Sequence, residues 1–252
     1  MRHTTADLAR LIGTATKALP RLAGRVGEAR SGQLVDGCAS NPSRIAALHA
    51  HWVAAHPEAG PHYWDIHSWS LVIWQPIYLS LLAVHLADQA PSLANMGQTV
   101  SEGQVGGFCL PPHRPRQGRQ ADLIGFAAEQ LCQFVERQLS DFNSVCQIYP
   151  KLARLLAADC ARAALLWADR CQPMGNAQVR DLEGQWMEAL AFSPGSSLIE
   201  VQTDDGRQCL ALGRKVCCQY FRRADGELCN TCPKYKQEER CRRLREQFTL
   251  QT

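Results

Sequence analysis

Toward its C-terminal end the sequence reads Cys217-Cys218, ten residues, then Cys229-Asn230-Thr231-Cys232-Pro233. Four thiols in two close pairs can converge on one compact metal centre, and thiolate is the ligand that zinc and iron–sulfur clusters share. A two-residue gap lets both sulfurs of the second pair serve one metal ion while nearby backbone amides turn toward them, and Pro233 suits the turn that follows. The first pair discriminates between metals. Structural zinc sites present each half with a gap of about two to four residues, and adjacent cysteines are awkward around a single small ion. A two-iron centre takes two thiolates per iron and holds the ligand pairs farther apart, so the spacing favours [2Fe-2S], with Zn2+ as the alternative.

Eight further cysteines lack ligand spacing. Cys209 and Cys241 bracket the motif, and Cys38, Cys109, Cys132, Cys146, Cys160 and Cys171 are scattered. A lone cysteine is ordinarily a small buried apolar group, so core packing is the expectation for all eight. The segment Met1 to Gly24 has no uninterrupted apolar stretch and no small-residue cleavage pattern. That signals no export, and a reducing cytoplasm is expected, where paired cysteines are metal ligands or redox thiols more often than disulfides.

Charge is concentrated around the motif. The net charge of the 252 residues is only +3, but from Arg207 onward 11 Lys and Arg face 5 Asp and Glu. Arg214, Lys215, Arg222, Arg223, Lys234 and Lys236 lie within a few residues of the thiols, where they can attract an anionic ligand, dock an acidic protein, or simply stabilise thiolate.

The pattern Cys-Cys, ten residues, Cys, two residues, Cys resembles that of the FhuF family of ferric siderophore reductases, in which those four cysteines hold a [2Fe-2S] cluster. The likeness extends more loosely through His62-Tyr63-Trp64, Trp69 and Trp74-Gln75-Pro76 to Val84-His85-Leu86, which is similar to a stretch typical of a proteobacterial branch of such reductases. The resemblance implies a cytoplasmic oxidoreductase that passes one electron from the cluster to ferric iron held by a siderophore. On that implication Cys217, Cys218, Cys229 and Cys232 are the cofactor ligands, and Arg222, Arg223, Lys234, His62, Trp64, His67 and Trp69 are candidates for the substrate side. Aromatic and imidazole groups in an apolar helix are, in general, core residues more often than ligands.

Two other classes fit the residues. A zinc-stabilised nucleic-acid-binding or regulatory module would use the basic tail, and an iron–sulfur electron carrier or redox sensor would use the thiols alone. The reductase reading needs no nucleic acid. Gly103, Gly106 and Gly107 have neither the spacing nor the setting of a dinucleotide-binding loop. Electrons are therefore expected from a separate donor such as a ferredoxin or a flavin reductase.

The positioning elements follow from periodicity. At 46% hydrophobic and 20% charged residues the chain has the composition of an ordinary globular protein. Helical spacing predicts helices over Thr5–Leu19, Asn41–His56, Ala121–Leu139, Lys151–Arg170, Gln178–Ala191 and Lys236–Phe248. The apolar stretch Ile66–Ala87 is too interrupted for a membrane span and reads as a buried helix kinked or restarted at Pro76. Hairpins are expected over Gln98–Ser101 with Gln104–Leu110, and over Ser197–Gln202 with Cys209–Val216 about an Asp204-Asp205-Gly206 turn. The expected fold class is α+β, mainly helical with short β-hairpins. A substrate-side domain would span 1–192, and the hairpin plus a small iron–sulfur-binding segment 193–252, divided by the break Ser193-Pro194-Gly195.

Overall fold

The computed structural model describes residues 2–192 and 195–249, so Ser193 and Pro194 of the expected break lie outside the described residues. The expected α+β, mainly helical class holds. Six helices build the body: α1 (Arg2–Ala18), α2 (Asn41–Ala55), α3 (Pro61–Ala87), α4 (Gln120–Asn143), α5 (Pro150–Cys171) and α6 (Asn176–Leu190). Proline stands in the first turn of α2, α3 and α5, where its missing N–H has no intrahelical partner to lose. Helix α1 buries Leu8, Leu11, Ile12 and Ala15, the stripe that its spacing dictates.

Helix α3 is the axis of the molecule and packs against α1, α2, α4 and α5. Its length and hydropathy would allow it to cross a membrane, yet most of its side chains lie inside the core. It does not restart at Pro76 but runs unbroken from Pro61 to Ala87. Pro76 has no N–H to give the carbonyl of Val72, one turn back. The side-chain amide of Gln98 donates to that carbonyl instead, at 3.1 Å, and reaches Gln75 Oε1 at 3.3 Å. A partner from the neighbouring sheet thus satisfies a buried carbonyl that the sequence leaves open.

That sheet has four strands: β1 (Gly24–Val26), β2 (Gln33–Val35), β3 (Gly97–Ser101) and β4 (Gln104–Leu110), in the order β1-β4-β3-β2. The β3–β4 hairpin matches expectation, and Glu102 and Gly103 turn it with φ of 49° and 74°, the left-handed pair that a two-residue hairpin loop requires. Strand β1 adds parallel to β4, and β2 antiparallel to β3. Both added strands are three residues long, too short to carry a period of two.

A second hairpin pairs β5 (Ser197–Gln202) with β6 (Gln208–Gly213). Its alternation divides its contacts. Leu198 and Leu210 join the main core, while Ile199, Val201 and Ala211 meet Leu244 and Phe248 of the last helix, α7 (Gln237–Thr249). The segment from β6 to α7 carries the cysteine motif.

Candidate metal centre

Beyond β6, the chain reaches Cys217 and Cys218 and reverses at Gln219, whose φ of 59° is left-handed. A 3-10 turn over Tyr220–Arg222 leads into the loop to Cys229 and Cys232. Four side-chain contacts hold this segment in place. Lys215 N–H donates to Ser196 Oγ (3.0 Å), Arg240 Nη1 to the Arg214 carbonyl (3.0 Å), Ala224 N–H to Glu58 Oε1 (2.9 Å) and Asn230 Nδ2 to Gln247 Oε1 (2.9 Å). They bind the loop to α7 and to the α2–α3 connection. Gly226 is required by close approach, since a Cβ there would sit 2.1 Å from the Tyr220 carbonyl oxygen.

The thiols influence one another across the two halves of the motif, Cys218 with Cys229 and Cys217 with Cys232, and Cys232 also acts with Cys218 and Cys229. Sequence spacing had pointed to Cys229 and Cys232 as co-ligands of one ion; the fold gives each a sulfur neighbour from the other half. Backbone amides surround them. Gln219 N–H lies 3.4 Å from Cys217 Sγ, and the amides of Tyr220 and Lys234 favour the thiolates of Cys218 and Cys232. Oriented N–H groups of this kind are the usual surroundings of iron–sulfur sulfurs.

A single tetrahedral ion with metal–sulfur bonds near 2.3 Å would draw all four sulfurs to within about 3.8 Å of one another. Among the described residues, the only group of three or more potential ligand atoms all within 4.8 Å of one another is His49, Asp65 and Cys146. No three of the four motif sulfurs are therefore so close. The four sulfurs are close enough to act on one another but are not drawn in as tightly as a single bound ion would draw them.

Electrostatics favour thiolate at Cys229 and oppose it at Cys218 and at Cys232, the last chiefly through burial. Cys229 is held down to about 6, chiefly by hydrogen bonding with Cys218, which keeps the shared proton and is pushed far up; burial opposes ionisation of both, and the Arg214 guanidinium favours it. Arg214 lies 3.9 Å from the buried carboxylate of Asp159, too far for a hydrogen bond, and its Nε has no hydrogen-bond partner among the described residues. It is a cation retained beside sulfur.

Cys218 and Cys229 form one wall of a cavity of about 310 Å3. Opposite them α3 presents Tyr63, His67, Trp74 and Tyr78. A second cavity, of about 590 Å3, shares His67, Ser70, Trp74 and Tyr78 and continues toward Gln104 and Gly106 of β4. Burial holds His67 down to about 4, with Arg223 adding to the effect, so its imidazole is neutral at pH 7. Cys160, also in the first cavity, is pushed by burial up to about 12 and stays a thiol.

The other candidate residues are dispersed. His67 lies in both cavities. Trp69 is fully buried, with its indole N–H on the Ala153 carbonyl at 3.1 Å. Trp64 donates to the His56 carbonyl and packs edge-on to His49, and His62 is exposed at the start of α3. Arg223 is bound to Asp225 and lies over the Tyr220 ring, 4.7 Å from its centroid. Lys234 and Arg222 are exposed, at 4.7 and 5.9 Å from the Phe221 centroid. Of the other cavity residues, Tyr63 and Trp74 stand in the sequence only within the family likeness, Arg214 only within the basic cluster, and Tyr78 was not singled out. The period of α3 carried the missing signal, because Tyr63, His67, Trp74 and Tyr78 succeed one another at helical spacing on one face.

Compared with known protein families, residues 214–234 match the FhuF 2Fe-2S C-terminal domain. All four motif cysteines fall inside the match.

Proposed function

We propose that this chain, with a FhuF 2Fe-2S C-terminal domain at residues 214–234, is a cytoplasmic ferric siderophore reductase whose Cys217, Cys218, Cys229 and Cys232 hold a [2Fe-2S] cluster. The observation that carries the reading is the aromatic cavity ending on Cys218 and Cys229. When bound, the cluster supplies one electron at a time, taken from an external donor such as a ferredoxin or flavin reductase. The protein's own work is placement.

Trp74 and Tyr78, both half-buried, offer apolar surface to the organic shell of a chelate, and neutral His67 adds an imidazole without repelling or trapping charge. The two adjoining cavities together fall in the range of about 300–1,000 Å3 common for small-molecule sites. Arg214 favours electron density on the sulfurs, and exposed Arg222 and Lys234 give an anionic chelate or an acidic donor an attractive approach. Hard oxygen donors hold Fe(III) far better than Fe(II), so one electron loosens the complex and releases the metal.

The test uses protein purified without air and reduced with dithionite. Mixing it with ferric hydroxamates and ferric catecholates should reoxidise the cluster and form Fe(II), trapped by a coloured ferrous chelator. A colourless protein containing zinc, or a reduced cluster that no ferric chelate reoxidises, overturns the proposal.

A further inference from the structure

Away from the cysteine motif, three potential ligands converge from separate elements: His49 on α2, Asp65 on α3 and Cys146 in the α4–α5 connection. One nitrogen, one oxygen and one sulfur lie within 4.8 Å of one another. His49 Nε2 is 2.9 Å from Asp65 Oδ1, and the two side chains keep 22 and 16% of their exposure. Cys146 is 5% exposed. Its backbone N–H caps the end of α4 on the Phe142 carbonyl at 2.8 Å, which fixes the cysteine backbone. On the other side Trp64 steadies the imidazole, its ring edge-on at 6.3 Å and its own N–H committed to His56.

We propose that His49, Asp65 and Cys146 form a mononuclear site for a borderline divalent cation, Zn2+ or Fe2+, separate from the four-cysteine centre. The chemistry follows from the donors. Imidazole, carboxylate and thiolate together suit ions of intermediate softness, whereas Mg2+ and Ca2+ take oxygen ligands. Three protein ligands with partial access from solvent leave a fourth position for water or a small ligand, the arrangement of open metal sites. Cys146 packs in the main core, as expected of a lone cysteine, and in addition its thiol stands within 4.8 Å of an imidazole and a carboxylate from two other helices. The bland alternative is a His49–Asp65 ion pair fastening α2 to α3 beside an inert thiol.

Anaerobic titration of the cluster-loaded protein with Co2+ separates the two, because cobalt in such a site reports its ligands. One equivalent should bind, giving four-coordinate visible bands and a sulfur-to-cobalt band in the near ultraviolet in difference spectra, and Zn2+ should displace it. Cys146→Ser should remove the sulfur band while leaving the cluster absorption intact. His49→Ala and Asp65→Asn should each weaken binding by about tenfold or more, and they decide the matter if Cys146→Ser fails to fold. An unchanged Co2+ spectrum in Cys146→Ser, or unchanged affinity in both His49→Ala and Asp65→Asn, overturns the site.

Discussion

The side-chain amide of Gln98 occupies the hydrogen-bonding position on the Val72 carbonyl that the backbone of Pro76 cannot fill. Helix α3 therefore depends on the sheet at its midpoint. Gln98→Leu should strand a buried carbonyl and cost about 1–3 kcal/mol in urea unfolding. Pro76→Ala supplies an N–H of its own and should cost less in the Gln98→Leu background than in the parent, a coupling that a double-mutant cycle measures. Additive effects would show that the two residues do not share this carbonyl.

Ligand identity is tested by substitution. Serine at Cys217, Cys218, Cys229 or Cys232 should abolish the visible absorption of the cluster and bring protein-bound iron close to zero. Serine at Cys209 or Cys241 should change neither. A full spectrum retained in Cys218→Ser would remove this residue from the ligand set.

Arg214 is the cation nearest in influence to Cys218 and Cys229. Because reduction adds an electron, loss of this positive charge should lower the cluster potential. Arg214→Met should do so by on the order of 50–100 mV, for a single charge several ångströms away in a partly screened setting. Arg214→Lys should recover much of that shift. A spectroelectrochemical titration reads both, and an unchanged potential at full cluster content would show that Arg214 serves only the fold.

Gly226→Ala places a methyl group against the Tyr220 carbonyl. The loop must then move, and the turn bearing Cys218 with it. The expected result is a lower iron content per chain together with a far-ultraviolet circular dichroism spectrum close to that of the parent. Full cluster occupancy would mean that the loop tolerates displacement.

Stability should also depend on pH through His85, which accepts a hydrogen bond from the Trp186 indole at 2.8 Å and is held down to about 4 by burial. An unfolded histidine takes up its proton near 6.5, so between pH 6.5 and 4 the unfolded chain binds more protons. The stabilisation is complete above 6.5, falls as the pH drops through that window, and levels off below 4. At pH 5 the loss from this one group approaches about 2 kcal/mol. Urea midpoints at pH 7.5 and 5 should differ accordingly, and His85→Gln should narrow the gap. An equal gap in that variant would place the pH dependence elsewhere.

The helices and both hairpins were legible because their apolar residues repeat at the spacing of a buried face, as Leu8, Leu11 and Ile12 do in α1. Strands β1 and β2 were not, since three residues carry no period and their pairing with β4 and β3 is set by tertiary placement. Pro76 read as a break because local rules contain no term for a distant glutamine. At the site, the four cysteines were legible from spacing, whereas their influence across the two halves of the motif required the fold. Trp69 and Trp74 look alike in the sequence, five residues apart, but that offset turns one into the core and the other into the cavity wall. His49, Asp65 and Cys146 leave no pattern in the chain, because three different elements bring them together.

The two-faced β5–β6 hairpin has a further consequence. Because its side chains alternate, a slip of one residue would send Ile199 and Val201 toward the main core and Leu198 and Leu210 toward α7, exchanging both packing surfaces at once. It would also displace everything after Gly213 by about 3.4 Å. The turn that forbids this slip is closed by Thr203, Asp205 and Arg207. The hairpin thus works as a ruler, and a few polar contacts at its far end meter where Cys217 and Cys218 meet the sulfurs opposite.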